Sequence, residues 1–316
     1  MTTPPASMSR GATGPGRAGK SSTRKTASAP PTPGAPHPPE SPGAAITSRH
    51  HPLPKLIRSL RQRPAREASG LSFVEGVRLV AEAGRLGQHE GILETLIVAP
   101  DLLRSAVGQG VAAQVRRLGV PCREVSAEVF QSISLRDSPQ GIGLLVRQRW
   151  TPLDALQLDD SRGAAGGPAG VALDGVRDPG NLGTILRTAD AAGSPGVILL
   201  GHTADPYDPL AVRASMGALF SQHLVRASFE QLVAWCRRRG YTLVGTSCSA
   251  TADYWSVSYR APAVLLMGNE RTGLSPAQQA ACDVVVRIPM AGRSDSLNLA
   301  VATGIVLYEL RRAASS

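Results

Sequence analysis

The sequence predicts an α/β protein in which helices cover a parallel sheet, organised as two domains behind an N-terminal tail. Its 316 residues, 42% of them hydrophobic, suffice for two ordinary domains. Short apolar runs of strand length alternate with stretches of helical periodicity, which is the pattern of α/β proteins. A Gly- and Ala-rich stretch at 159–170 divides the ordered part in two.

The first 51 residues have the composition of a disordered tail. They hold ten of the 25 prolines and almost no large apolar residue, so they bury too little surface to offset the entropy of ordering. Residues 1–51 and 52–66 each carry +5 of the net charge of +10. A basic end suits a polyanionic partner, since neutralised phosphates release counterions. There are two alternatives: the charge serves solubility alone, or the segment is an organelle transit peptide. The prolines argue against a transit peptide.

Residues 52–150 have the pattern of a small α/β domain, followed by a linker at 151–170. The predicted elements are a basic helix around Lys55–Gln62, a helix after Phe73-Val-Glu-Gly76, strand Leu93–Ala99, helix Leu102–Leu118, a short strand near Val120–Val125 and strand Gly141–Val146.

Residues 171–316 predict the parallel sheet. The predicted strands are Val171–Leu173, Gly196–Leu200, Tyr241–Thr246, Ala263–Met267 and Val284–Ile288. Four helices are predicted: one that begins at Asn181, one over Leu210–Phe220, one over Phe229–Arg239, and a final one that begins near Leu297. Ligands of such sheets bind at the carboxyl ends of the strands. The candidate site therefore lies in the loops after Leu173, Thr246, Met267 and Ile288.

The loop after the first of these strands combines a turn with two candidate ligand-binding residues. Pro179 and Gly180 predict the turn, and Asn181 is predicted to cap the helix that follows. Arg187 lies nearly opposite the apolar stripe of that helix and so points away from the core. An ordinary solvated arginine is the plain alternative.

Two later loops carry further unusual polar residues. Gly268-Asn269-Glu270-Arg271-Thr272-Gly273 follows a strand, and its glycines allow a close approach of the backbone. Ser275-Pro276 then predicts the start of a helix. After the last strand, Ser296 is a candidate cap for the final helix, which would leave the Asn298 amide in the first turn for a ligand.

Taken together, these segments resemble the three signature motifs of SpoU/TrmH RNA 2′-O-methyltransferases, in the same order. Asn181 and Arg187 match the first motif, Gly268-Asn269-Glu270 with Gly273 the second, and Ile288-Pro289-Met290 with Ser296-Leu297-Asn298 the third. The resemblance covers residues 171–312. The segments Phe73-Val-Glu-Gly76 and Ser138-Pro-Gln-Gly-Ile142 resemble the family's small ribosomal-protein-like RNA-binding domain.

The resemblance implies a fold, a cofactor and a set of roles. The C-terminal domain is expected to form a trefoil knot and to act as a homodimer with its site near the subunit interface. S-adenosylmethionine is the implied cofactor, held by Thr246, Gly268, Asn269, Ile288, Met290, Ser296 and Leu297. Asn181, Arg187, Glu270 and Asn298 are the implied catalytic residues.

Within that set, Arg187 is expected to stabilise the developing alkoxide, because arginine stays protonated in proteins. Glu270 is expected either to hold Arg187 or to accept a proton. The expected partner is RNA and not DNA, because a ribose 2′-hydroxyl is the acceptor, with ribosomal (23S) RNA favoured over transfer RNA. A housekeeping and an antibiotic-resistance role both stay open.

Two other classes of function compete with this interpretation. One is a non-catalytic RNA-binding or ribosome-assembly protein of the same fold, against which the intact motifs count. The other is a nucleotide-dependent oxidoreductase, which needs a glycine fingerprint that the early strands lack. The four cysteines form no C-x-x-C pair, so no metal is expected. A cytoplasmic location without a membrane partner is expected, because no apolar run is long enough to span a bilayer.

Overall fold

Two sheets organise the protein, and the computed structural model describes residues 45–87, 91–158 and 170–314. A four-stranded sheet lies in the N-terminal part and a seven-stranded sheet in the C-terminal part. Between them they confirm the predicted α/β class with its parallel sheet.

The N-terminal part builds a mixed sheet with the strand order β1-β4-β2-β3. Strand β4 runs antiparallel to both of its neighbours, and β2 and β3 are parallel. The elements are helices α1 Pro52–Ser59, α2 Arg63–Ser69, α3 Val77–Gly87, α4 Ala106–Arg117 and α5 Ala127–Ile133, and strands β1 Leu71–Glu75, β2 Leu93–Val98, β3 Cys122–Glu124 and β4 Ile142–Arg147. Helices α2 and α5 and strand β1 were absent from the prediction.

The C-terminal part builds a parallel sheet with the strand order β7-β6-β5-β10-β8-β11-β9. Its strands are β5 Gly170–Asp174, β6 Gly196–Leu200, β7 His223–Ala227, β8 Thr242–Thr246, β9 Ala252–Asp253, β10 Ala263–Met267 and β11 Val284–Arg287, and its helices are α6 Pro179–Ala191, α7 Pro209–Ala214, α8 Phe229–Arg239, α9 Pro276–Ala281 and α10 Leu299–Ala314. Every residue of β6 and β10 is buried, as expected for strands covered on both faces. All five predicted strands are present, and β7 and β9 were missed. The knot stays a prediction.

Two predicted helices differ most from the observed bounds. The helix predicted for Leu210–Phe220 ends as α7 at Ala214, because Met216 and Gly217 adopt left-handed backbone angles, with φ of 53° and 103°, that no α-helix tolerates. Helix α4 begins at Ala106 and not at Leu102, since the Ser105 hydroxyl caps it by accepting a hydrogen bond from the Gly108 N–H at 3.0 Å.

Both ends of the small domain differ from the predicted boundaries. Ile46, placed in the disordered tail, extends the sheet beside β3: its N–H donates to the Glu124 carbonyl at 2.8 Å and its carbonyl accepts from the Ser126 N–H at 3.0 Å. Leu156 and Leu158, placed in the linker, are buried against the large sheet. The predicted tail over 1–44 and the predicted linker over 159–169 lie outside the described residues.

A buried ion pair connects the small domain to the large one. Arg66 on α2 is 1% exposed, and its Nε donates to Asp205 Oδ2 at 2.8 Å. Its Nη1 donates to the Leu60 carbonyl at 2.8 Å and its Nη2 to Asp208 Oδ2 at 3.4 Å. A second connection is made by Tyr207, whose hydroxyl donates to the Arg149 carbonyl at 3.0 Å.

Candidate active site

A cleft of about 740 Å³ opens at the carboxyl ends of β8, β10 and β11. All seven residues predicted to hold the cofactor line it, together with three of the four predicted catalytic residues: Thr246, Gly268, Asn269, Ile288, Met290, Ser296 and Leu297, with Asn181, Glu270 and Asn298. Its volume is in the range of small-molecule sites. The fourth predicted catalytic residue, Arg187, does not line it.

A chain of polar side chains joins the three motif segments at this cleft. The Asn298 Nδ2 donates to Asn181 Oδ1 at 2.9 Å. The Asn181 Nδ2 in turn donates to Glu270 Oε1 at 3.5 Å. These residues come from the start of α6, the loop after β10 and the start of α10, so the fold assembles residues that are far apart in sequence.

The carboxylate of Glu270 is directed at the loop between β5 and α6. It accepts hydrogen bonds from the N–H groups of Arg177, at 3.2 Å, and Asp178, at 3.3 Å. No bond or ion pair joins it to Arg187 in the described part of the chain. Within the described residues, Glu270 therefore contacts backbone amides and Asn181 instead of Arg187, and its catalytic role stays a prediction.

The helix caps differ from the predicted ones. Asp178, not Asn181, caps α6, its Oδ1 accepting from the Asn181 N–H at 2.6 Å. Asn298, not Ser296, caps α10, because its Oδ1 accepts from the N–H groups of Ala300 at 2.9 Å and Val301 at 3.3 Å. The amide of Asn298 thus serves two purposes: its oxygen caps the start of the helix and its nitrogen donates to Asn181.

The second motif forms a tight loop on the wall of the cleft. A side chain at Gly268 would bring its Cβ to 2.3 Å from the Gly273 carbonyl carbon, so only glycine fits. Gly273 has φ of 63°, and its N–H donates to the Asn269 carbonyl at 2.9 Å. The Asn269 Nδ2 donates to the Gly175 carbonyl at 2.6 Å. The Asn269 Oδ1 also accepts from the N–H groups of Arg271 at 2.9 Å and Thr272 at 3.4 Å. The side-chain amide of Asn269 therefore braces this loop and holds it to the loop after β5.

The remaining wall mixes apolar and polar surface. Met290 and Leu297 are large apolar side chains, yet they are 37% and 38% exposed, so they offer apolar surface for a ligand to cover. The Thr246 hydroxyl faces the Met267 sulfur at 3.5 Å. Five further residues line the cleft and were not predicted to do so: Ser247, Cys248, Ser249, Arg271 and Thr272. Their positions, directly after β8 and within the second motif, are the sequence signal that could have identified them.

Arg187 is exposed on α6, six residues beyond Asn181, or about 9 Å along the helix axis. It makes no hydrogen bond or ion pair to any described residue. Its guanidinium is therefore available to a partner molecule, although it is not part of the cleft of its own chain.

The described ranges contain neither a metal-binding cluster nor a membrane-spanning helix. Residues 45–87, 91–158 and 170–314 contain no cluster of three His, Cys, Asp or Glu side chains suited to a metal ion. The helices of these ranges include none that is long and apolar enough to cross a bilayer.

Comparison with known proteins agrees with this arrangement. Residues 168–308 match the SpoU rRNA Methylase family and residues 52–143 an MRM3-like substrate binding domain. A 23S rRNA (uridine(2479)-2′-O)-methyltransferase of Streptomyces viridochromogenes is 33% identical over 84% of this chain and 91% of its own. The AdoMet-bound structure of an rRNA methyltransferase from Sinorhizobium meliloti is 41% identical, with a TM-score of 0.74 over 85% of this chain and 97% of its own. The chain belongs to the SpoU family of RNA 2′-O-methyltransferases.

Proposed function

We propose that this protein transfers a methyl group from S-adenosylmethionine to a ribose 2′-hydroxyl of 23S ribosomal RNA. The observation that carries the proposal is the hydrogen-bonded series Asn298–Asn181–Glu270 at the edge of a ligand-sized cleft. Relatives that are 23S rRNA 2′-O-methyltransferases support ribosomal RNA as the substrate. The protein is expected in the cytoplasm, where it would meet that substrate.

The cleft fits the cofactor in size and in chemistry. Apolar side chains such as Met290 and Leu297 suit an adenine ring, and the backbone groups of the second-motif loop suit its polar edge. When bound, S-adenosylmethionine would supply a methyl group whose carbon bonds to a ribose oxygen as its bond to the positively charged sulfur breaks, leaving the sulfur as a neutral thioether.

The chain's own residues would position the ribose and favour the attacking oxygen. The amides of Asn181 and Asn298, fixed to one another at 2.9 Å, would orient the ribose beside the cleft. Glu270 would keep the β5–α6 loop in place through its bonds to two backbone N–H groups. The hydroxyl proton is lost to solvent as the oxygen develops negative charge.

Arg187 would stabilise that negative charge from the second subunit of a homodimer. Arg187 lies outside its own cleft, and α6 packs beside α10, where the Arg311 Nη1 donates to the Ala191 carbonyl at 3.2 Å. On helix α10, Val301 is 51% exposed and Tyr308 is 48% exposed. These two residues are two helical turns apart and so form an apolar stripe on one face of the helix. Pairing of two such faces would bring Arg187 toward the partner's cleft.

Mixed dimers test this arrangement. Arg187→Ala and Asn298→Ala subunits, each inactive alone, are expected to regain up to about one quarter of the wild-type activity when mixed. About half of the dimers would then contain one subunit of each kind, and in these dimers one of the two sites would be complete. Activity that stays absent from the mixture, with subunit exchange verified by mass, would contradict action across the dimer.

The substrate is tested by incubating the protein with labelled S-adenosylmethionine and, separately, ribosomal and transfer RNA from cells that lack the enzyme. Label is expected as a 2′-O-methyl group in 23S ribosomal RNA, and it should vanish with Arg187→Ala but not with the control Arg238→Ala on α8. Label in transfer RNA would redirect the proposal to that substrate. Tight cofactor binding without label in either pool would favour the non-catalytic alternative.

A further inference from the structure

A second cleft, of about 350 Å³, lies at the same edge of the large sheet. It is formed at the carboxyl ends of β6 and β7, where Gly201 and Arg226 line it, and Arg63 closes it from α2 of the small domain. Of its ten described lining residues, two are arginines and none is acidic. The cleft therefore presents positive charge between the two domains.

The guanidinium of Arg226 is held in a fixed orientation. It lies 3.7 Å from the ring centroid of Trp150, a stacking geometry that stabilises the cation. Trp150 is itself supported by an edge contact with Tyr207, with the ring centroids 5.8 Å apart. Trp150 covers one face of the guanidinium and leaves its N–H edges for an anion.

Both arginines keep part of their donor capacity. Arg63 uses its Nε for Glu67 Oε1, at 2.9 Å, and its Nη1 for the Thr203 carbonyl, at 3.2 Å. Arg226 contacts the same Glu67 at 3.7 Å, beyond hydrogen-bond range. One carboxylate thus serves two guanidinium groups that are nearly half exposed, and a net positive charge remains.

The position of this cleft relates it to the proposed reaction. In the strand order β7-β6-β5-β10-β8, three strand spacings, or about 14 Å, separate it from the first cleft. An RNA strand that enters the first cleft and follows this edge of the sheet passes over Arg63 and Arg226 a few nucleotides away.

We propose that Arg63 and Arg226 form a subsite for a backbone phosphate of the RNA substrate, on the strand that flanks the methylated nucleotide. The inference rests on the proposed function. Phosphate is the ligand favoured by two adjacent guanidinium groups, whose planar N–H edges match its oxygens. Glu67 then acts as a removable competitor for the same donors.

Binding of an unmodified 23S rRNA transcript, measured against salt concentration, tests the subsite. Arg226→Gln is expected to weaken binding about fivefold at ~0.1 M salt and to reduce the slope of log affinity against log salt by about 0.7 to 0.9, the value of one phosphate contact. Arg238→Gln is the matched control, because it removes an arginine of comparable exposure, 60% against 47% for Arg226, from an ion pair outside the cleft. Affinity for S-adenosylmethionine should be unchanged in both variants.

Glu67→Gln separates phosphate binding from a merely structural role, since it removes the same ion pairs but leaves both arginines. RNA binding is expected to tighten in this variant, and binding that weakens as it does in Arg226→Gln would overturn the subsite. Equal RNA affinity and equal salt slope for Arg226→Gln and Arg238→Gln would also overturn the subsite. In that case, methylation of the transcript by the wild-type protein would still support the proposed function. Absence of RNA binding by the wild-type protein would refute both.

Discussion

Removing Arg66 should destabilise the protein through the carboxylate that it leaves behind. In Arg66→Met, Asp205, whose side chain is 3% exposed, loses its buried ionic partner and keeps only the hydrogen bond from the Tyr207 N–H, at 2.9 Å. Breaking one side of a buried ion pair costs about 3–5 kcal/mol. At about 2 °C per kcal/mol for a chain of this size, Tm should fall by roughly 6–10 °C.

Thermal unfolding of four proteins checks this reasoning. Arg85→Met, which breaks an exposed pair with Glu82, should change the free energy of unfolding by less than about 1 kcal/mol. Adding Asp205→Asn to Arg66→Met should recover part of the loss, because the uncompensated charge is then gone. An Arg66→Met variant no less stable than Arg85→Met would refute the assignment of a buried, stabilising contact between the domains.

Three further predictions concern the site and its supports. Gly268→Ala should abolish cofactor binding in calorimetry, because its Cβ meets Gly273, whereas Gly292→Ala has open space and should bind normally; equal affinities would contradict the tight loop. Asn298→Ala should lower the free energy of unfolding by about 1 kcal/mol, because the cap of α10 is lost. Asn298→Ser should restore stability but not methylation. Methylation by Asn298→Ser would show that the amide nitrogen is dispensable. Burial raises the pKa of Tyr207 to about 12, so this hydroxyl ionises at lower pH in the unfolded chain than in the folded one. The free energy of unfolding, measured by urea unfolding, should therefore fall from pH 10 to pH 12. The same fall in Tyr207→Phe would assign the pH dependence to other groups.

The residues of the site were predictable because their signal is local. Asn181, Glu270 and Asn298 each follow a recognisable strand, and the carboxyl ends of parallel strands meet at one edge. Their mutual bonds were not predictable, since they depend on register and loop geometry. Arg187 shows the limit most clearly, because its sequence spacing is correct for the motif, while its place relative to the cleft depends on helix packing.

The missed elements have physical reasons of the same kind. Strand β7 lies at the end of the sheet order and carries His223 and Arg226, so it lacks the apolar run of a central strand. Helix α7 ends early because of the backbone at Met216 and Gly217, and it packs tightly on α6. There the carbonyl of Ala211 lies 2.3 Å from the position of a Cβ on Gly183, which leaves no room for a larger residue.

The bonds at the first cleft also bear on how the protein becomes active. The Asn181–Glu270 and Asn181–Asn298 contacts span 89 and 117 residues of chain. Contacts of such separation form late, because long loops must close before the contacts contribute. Cofactor-binding capacity should therefore appear after most secondary structure during refolding, and a nascent chain that has not yet released α10 should be folded in part but inert.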